Sequence, residues 1–228
     1  MALIGAIINA VAILIGGSMG LLLKKGLPKH IGDSILNGMA LCVLYIGISG
    51  SLKGENLLIS ILSIGAGAIA GELLRLDDRL NALGQFLQDK FAKEGQEGSV
   101  AEGFVTASLL FCVGAMAIVG SLQSGLMNNH DTLFAKSLID GITAIVFASS
   151  LGFGVLFSSI LILIYEGGIT LLASFLSPLL TTTVINEMTC VGSLLIMGIG
   201  LNMLGMTKIK VINYIPAVFL PILLCKFI

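Results

Sequence analysis

Four carboxylates fall within or at the ends of long apolar runs in this chain: Glu72, Asp140, Glu166 and Glu187. An ionised side chain at mid-bilayer costs about 3 kcal/mol or more, so each needs a partner or a task. The chemistry open to them there is holding a cation or passing a proton. Asp140 stands in SLIDGITAIV, with Lys136 one helical turn before it. That spacing supports two readings, an ion pair within one helix or a cation or proton site. Glu166, in LIYEGGIT, is deeper in its run than the other carboxylates. The glycine pair after it would loosen a helix and offer carbonyls to an ion. The alternative for Glu166 is a packing role, protonated or hydrogen-bonded to Tyr165 or Ser158. Glu72 precedes Leu73-Leu74-Arg75, which favours an ion pair with Arg75. Glu187 follows TTTVIN at the start of a run, where a helix N-terminus tolerates negative charge.

Amides form a second set. Asn9, Asn37, Asn202 and Asn213 all lie in apolar sequence, where hydrogen bonds between helices contribute around 0.6 kcal/mol and act mostly as glue. Asn37 and Asn213 are singled out by a candidate internal repeat. A constant offset of 103 residues aligns Gly17-Ser18 with Gly120-Ser121, and Ser34-x-x-Asn37-Gly38 with Ser137-x-x-Asp140-Gly141. A third, fainter copy begins at Gly192-Ser193 and reaches Asn213. If the three positions are equivalent, Asp140 supplies charge and Asn37 and Asn213 supply neutral ligands for one cation. Glycine is frequent enough for short matches to arise by chance, and that alternative stays open.

Metal, nucleotide and nucleophile chemistry find no such footing. The two histidines, His30 and His130, fall in loops on opposite faces, and the four cysteines lie inside apolar runs without CxxC spacing. The glycines of Gly65-Ala-Gly67-Ala-Ile-Ala-Gly71 do not make a dinucleotide fingerprint, since no strand precedes them and the last gap is wrong. No cofactor and no catalytic group is expected.

The elements that must hold these residues are membrane helices. Of 228 residues only 25 are charged, or 11%, against about a quarter in soluble domains, and mean hydropathy is +1.06. That composition excludes a soluble enzyme, a disordered chain and a nucleic-acid-binding module. At about 20 residues per crossing, eight spans are expected: Ala2–Leu23, Ile31–Leu52, Leu57–Leu74, Phe104–Leu122, Leu133–Gly152, Val155–Leu176, Met188–Met206 and Val211–Ile228. The first run lacks a basic leader and is read as a span, not a cleaved signal. Leu151-Gly152-Phe153-Gly154 divides one long apolar stretch, either as a hairpin or as a re-entrant break.

Loop charge then sets orientation. Lys24, Lys25, Lys29, Arg75, Arg79, Lys90, Lys93, Lys208 and Lys210 fall on one side, and Lys53, Lys136 and Lys226 on the other. The positive-inside rule puts both termini outside. Ten of the charges cluster between Arg75 and Glu102, where leucines at helical spacing predict a helix over Arg75–Lys93 that extends the third span into the cytoplasm or lies on the headgroups. The chain thus divides into a three-helix unit with that extension (1–93), a linker (94–103), a second three-helix unit (104–180) and two C-terminal helices (181–228). Three spans per unit makes the candidate repeat inverted, an arrangement common in transporters. Glycine-rich spacings at Gly16xxxGly20, Gly67xxxGly71 and Ser150xxxGly154 are read as close helix contacts.

The stretches GFVTASLLFCVGAMAIVGSLQSGL and KSLIDGITAIVFASSLGFGV, between Gly103 and Val155, resemble the bacterial membrane family called domain of unknown function 554. GAIINAVAILIGGSMG near the N-terminus and GAIAGELLRLDDRLNALG extend the resemblance over nearly the whole chain. It implies a multi-pass inner-membrane protein and brings no substrate or site residue with it. The expectation is therefore an all-α polytopic protein of the bacterial inner membrane, in contact with lipid and not nucleic acid. Its residues point to a transporter or channel for a small solute or cation, with Asp140, Glu166, Asn37, Asn213, Lys136 and Glu72 as candidates. The alternative is a non-transporting scaffold acting through the cytoplasmic helix. A homo-oligomer is compatible with either reading, and an enzyme is not expected.

Overall fold

A computed structural model describes residues 2–24, 29–79, 82, 100–113 and 115–227. Most of the expected helix over Arg75–Lys93, and most of the linker after it, lie outside the described residues. Among the described residues the fold is all-helical. Its helices are α1 (Ile4–Lys24), α2 (Lys29–Ser51), α3 (Leu57–Leu73), α4 (Val100–Cys112), α5 (Ala115–Met127), α6 (Asp131–Leu151), α7 (Gly154–Leu171), α8 (Ala173–Leu176) and α9 (Thr182–Met203). A 3-10 helix, Val211–Phe219, and α10 (Pro221–Leu224) complete the chain.

Length and apolarity explain the elements. α1, α2, α6, α7 and α9 are each long and apolar enough to cross a membrane. Outward-facing Leu22, Tyr45, Leu57, Leu73, Leu138 and Ile164 are largely exposed, as a lipid-facing surface requires. α4 and α5 pass the same test only as a pair bent by 60°, in place of the straight fourth span expected. The third and eighth expected spans are shorter apolar elements, Leu57–Leu73 and Val211–Leu224. The last of these is wound as a 3-10 helix with Pro216 inside it, and proline has no N–H to return to the carbonyl three residues back.

Helix ends follow local chemistry. Asn56 caps α3 by accepting from the Leu58 N–H at 3.0 Å, and Thr181 caps α9. Between α6 and α7, Gly152 takes a φ of 82°, a conformation that costs glycine little. The two helices double back there, so Leu151–Gly154 is a hairpin. Arg75, at φ 49°, ends α3, and a separate helical turn starts at Leu76. The third span therefore does not run straight on through Leu76.

Backbone contact at glycines sets the helix pairing. A Cβ on Gly16 would lie 2.1 Å from the Gly141 carbonyl oxygen, and one on Gly20 2.2 Å from that of Ile145. α1 and α6 thus touch main chain to main chain, and the rising numbers on both show that they run parallel. On α2 and α9 the pairs are Gly47 with Met197 and Gly50 with Ser193, which makes those helices antiparallel. Gly67 and Gly71 of α3 meet Ala217 and Asn213 of the 3-10 helix, also antiparallel. α7 packs against α1 in the opposite sense, with Gly17 by Leu156 and Gly167 by Leu3. The core between them holds Ile13, Phe111, Phe147, Val155, Ile162 and Ile196, all buried.

Candidate functional site

α1 and α7 each bring one polar group to a common point, and α6 brings two. Along α1, Gly5, Asn9, Gly16 and Gly20 share the face pressed against α6. The buried stripe of α6 reads Leu133, Lys136, Asp140, Ala144 and Phe147, and that of α7 Val155, Ser158, Ile162, Glu166 and Thr170. These are helical spacings of three and four, so an otherwise apolar contact face carries its few polar members to the same place. Gly16 and Gly20 let α1 approach closely enough for Asn9 to reach across.

The result is a closed ring of two donors and two acceptors. Asn9 Nδ2 donates to Asp140 Oδ2 at 3.0 Å and to Glu166 Oε1 at 2.8 Å. Lys136 Nζ donates to the same Asp140 Oδ2 and lies 3.6 Å from the same Glu166 Oε1. Asn9 and Glu166 are 0% exposed, Asp140 5% and Lys136 6%, so water reaches little of it. The Phe111 ring centroid is 6.0 Å from the ammonium, where an aromatic face attracts a cation. Two acceptors are left over. Glu166 Oε2 and Asn9 Oδ1 are buried and have no hydrogen-bond partner among the described residues. Written with its ionisable groups charged, the tetrad carries two negative charges and one positive, an imbalance that buried surroundings penalise.

The tetrad sits in one half of the bundle. Asn9 and Lys136 are each five residues in from the starts of α1 and α6, and Glu166 is five before the end of α7. At 1.5 Å per residue that is about 7–8 Å of depth, and about 14 Å for Asp140.

Asp140, Glu166 and Lys136 are thus assembled as their chemistry requires. The Lys136–Asp140 pair expected within α6 is formed, and it also reaches Glu166. Lys136 is therefore no loop residue and drops out of the orientation count. Asn9 completes the tetrad although its position gave no reason to prefer it to the other amides. Its partners lie 131 and 157 residues away in sequence. Ser158 does not bond Glu166, because its hydroxyl donates to the Val155 carbonyl at 2.6 Å.

The other candidates stand elsewhere. Asn37 is exposed on α2, outside the tetrad, because the face of α2 that packs on α9 is the one bearing Gly47 and Gly50. Asn213 and Glu72 pair with each other where α3 meets the 3-10 helix. Asn213 Oδ1 also accepts from the Asp77 N–H at 2.9 Å. Glu72 is therefore tied to an amide across the helix contact, in place of the expected ion pair with Arg75. Asn37, Asp140 and Asn213 occupy three different surroundings, so they do not form one ligand set. Glu187 is fully buried, with Oε1 accepting from the N–H groups of Glu55 and Asn56 at 2.7 and 2.8 Å. It anchors the α2–α3 loop to α9, a stronger role than relief at a helix start. A separate cavity of about 300 Å³ is lined by Asp77, Glu102, Thr106, Asn202 and apolar neighbours, and no member of the tetrad lines it.

An all-helical bundle with an apolar outer surface, several spanning helices and a buried charged centre defines a polytopic membrane protein. The chain belongs to the family described as Protein of unknown function (DUF554), whose sequence model matches residues 4–226. It is similar to "Uncharacterized membrane protein YdfK" of Bacillus subtilis (strain 168), 33% identical over 221 residues, covering 95% of this chain and 93% of that protein. It is also similar to "Uncharacterized protein YqgA" of Escherichia coli (strain K12), 34% identical over 220 residues, covering 95% and 94% respectively. No solved structure matches the chain.

Proposed function

We propose that this protein is a carrier or channel for a small cation or cation-coupled solute in the bacterial cytoplasmic membrane. The observation that carries the reading is the Asn9–Lys136–Asp140–Glu166 tetrad. Two carboxylates buried in a bundle of spanning helices are expensive, and intramembrane groups of this kind commonly serve ion or proton pathways. The tetrad joins α1 of the first three-helix unit to α6 and α7 of the second. An interface between units is where carriers built from inverted repeats place their sites. In this reading the repeat is inverted, both termini face outward, and the protein performs no covalent catalysis. The test is ion flux into proteoliposomes, comparing the native protein with Asp140→Asn. Flux that the substitution abolishes supports the carrier. No flux for alkali cations, protons or amino acids in the native protein would sink it.

One observation favours a second reading, a membrane scaffold. The cavity lined by Asp77 and Glu102 is separate from the tetrad, whose members are packed and nearly inaccessible. A scaffold would act through the segment Arg75–Lys93, by itself or in a homo-oligomer. Neutralising the charges of that segment should then abolish the cellular phenotype while Asp140→Asn leaves it intact.

A further inference from the structure

We infer that the tetrad accepts one unit of positive charge, a proton or a monovalent metal ion, and that Lys136 is the residue that excludes divalent ions. The inference rests on the carrier reading and adds the valence of what is carried. Its basis is the way the ring divides its bonds. Both N–H groups of Asn9 Nδ2 are spent, one on Asp140 Oδ2 and one on Glu166 Oε1. The ammonium of Lys136 addresses the same two oxygens. Asn9 is thus spent as a donor and the ammonium is turned to the two carboxylates, while two buried acceptors, Glu166 Oε2 and Asn9 Oδ1, have no partner among the described residues. A carboxylate oxygen and an amide oxygen suit a proton on the carboxylate or a small hard cation, and neither suits an anion.

Charge arithmetic sets the valence. With Lys136 in place the group is one positive charge short of neutrality, so a single positive charge balances it. A divalent ion would leave an excess positive charge buried beside an ammonium, which is the unfavourable case for buried ions. Lys136 therefore behaves as a tethered resident cation: it already occupies half of the charge capacity of the two carboxylates. Removing it doubles the vacant charge, and neutralising Asp140 as well restores the original deficit.

The experiment measures flux in proteoliposomes, and thermal stability in detergent, with Li⁺, Na⁺, K⁺, Mg²⁺, Ca²⁺ and Mn²⁺, together with proton flux down an imposed pH gradient. The native protein is expected to carry monovalent ions or protons and no divalent metal. Lys136→Gln should gain at least tenfold in divalent flux or in divalent-dependent stabilisation. The double variant Lys136→Gln/Asp140→Asn should return to monovalent preference. Glu166→Gln, nearly isosteric and leaving the group neutral, should fold and lose all ion-dependent stabilisation, so the idea stays testable if Lys136→Gln does not fold. Proton flux alone, with no metal-dependent shift, identifies the single charge as a proton and supports the inference. Divalent transport by the native protein overturns it, as does unchanged selectivity in Lys136→Gln. A native protein that carries no ion at all defeats the carrier reading itself, which separates the two failures.

Discussion

Asn9 is the residue on which the tetrad's geometry turns, because one amide nitrogen spans both carboxylates. Leucine at this position has similar bulk and no donor. Asn9→Leu should leave Asp140 and Glu166 dependent on Lys136 alone and destabilise the protein by about 1–3 kcal/mol, the usual cost of stranding buried polar partners. The thermal midpoint in detergent reads this directly, and an unchanged midpoint would mean that the two bonds contribute nothing net. The Lys136–Asp140 pair was legible in the sequence because four residues along a helix is a distance that spacing fixes. Asn9 was not, since its partners sit on other helices and local spacing is silent about which helices meet. The same blindness explains Glu72 and Glu187. Their nearest sequence neighbours suggested local solutions, Arg75 and a helix start, whereas their structural partners lie on other elements.

At the scale of elements, small residues decide which helices touch. Gly16xxxGly20, Gly67xxxGly71 and Gly154 were readable as close contacts, and each faces another backbone: α6, the 3-10 helix and the start of α4. Gly16→Ala should therefore force α1 and α6 apart and cost about 1–3 kcal/mol, as overpacking does. Gly65 is the control, because a Cβ there meets nothing within 4 Å. Gly65→Ala should be neutral or should stabilise α3 by up to about 1 kcal/mol through helix propensity. Equal changes at both positions would show that the α1–α6 contact does not govern the response. The identity of the partner helices was illegible, as was the location of the broken span. The uncharged Gly-x-Gly at 152–154 left a hairpin and a re-entrant break both open; it makes a hairpin, and the 60° bend falls between α4 and α5. A break and a hairpin draw on the same residues, and only the packing around them separates the two.

At the scale of the whole molecule, contacts between distant segments test the order of crossings independently of loop charge. Lys210 Nζ lies 4.0 Å from Asp77 Oδ2, and Asn213 bonds the Asp77 N–H, so the loop after α3 and the loop after α9 share one end of the bundle. Ser124 donates to the Ala2 carbonyl at 2.7 Å, which places the α5–α6 turn beside the N-terminus. Glu187 likewise ties the α2–α3 loop to the start of α9. Alternating crossings require each of these groupings whichever side the N-terminus faces, and α1 parallel to α6 is the further sign that four reversals separate them. Lys208 and Lys210 belong to the nine-residue basic set, and with Lys136 buried only Lys53 and Lys226 oppose it. The bias in loop charge is thereby steeper than the sequence count implied, and lysine and arginine near span ends are retained on the cytoplasmic side. Single cysteines in a chain with Cys42, Cys112, Cys190 and Cys225 replaced by serine or alanine check this in intact cells. Asn129→Cys should react with a membrane-impermeant maleimide added outside, whereas Lys208→Cys should react only after the membrane is opened. The reverse pattern would keep the fold and put the N-terminal end of the bundle, with the tetrad, on the inner side. Labelling of both positions from one side would break the alternation of crossings itself.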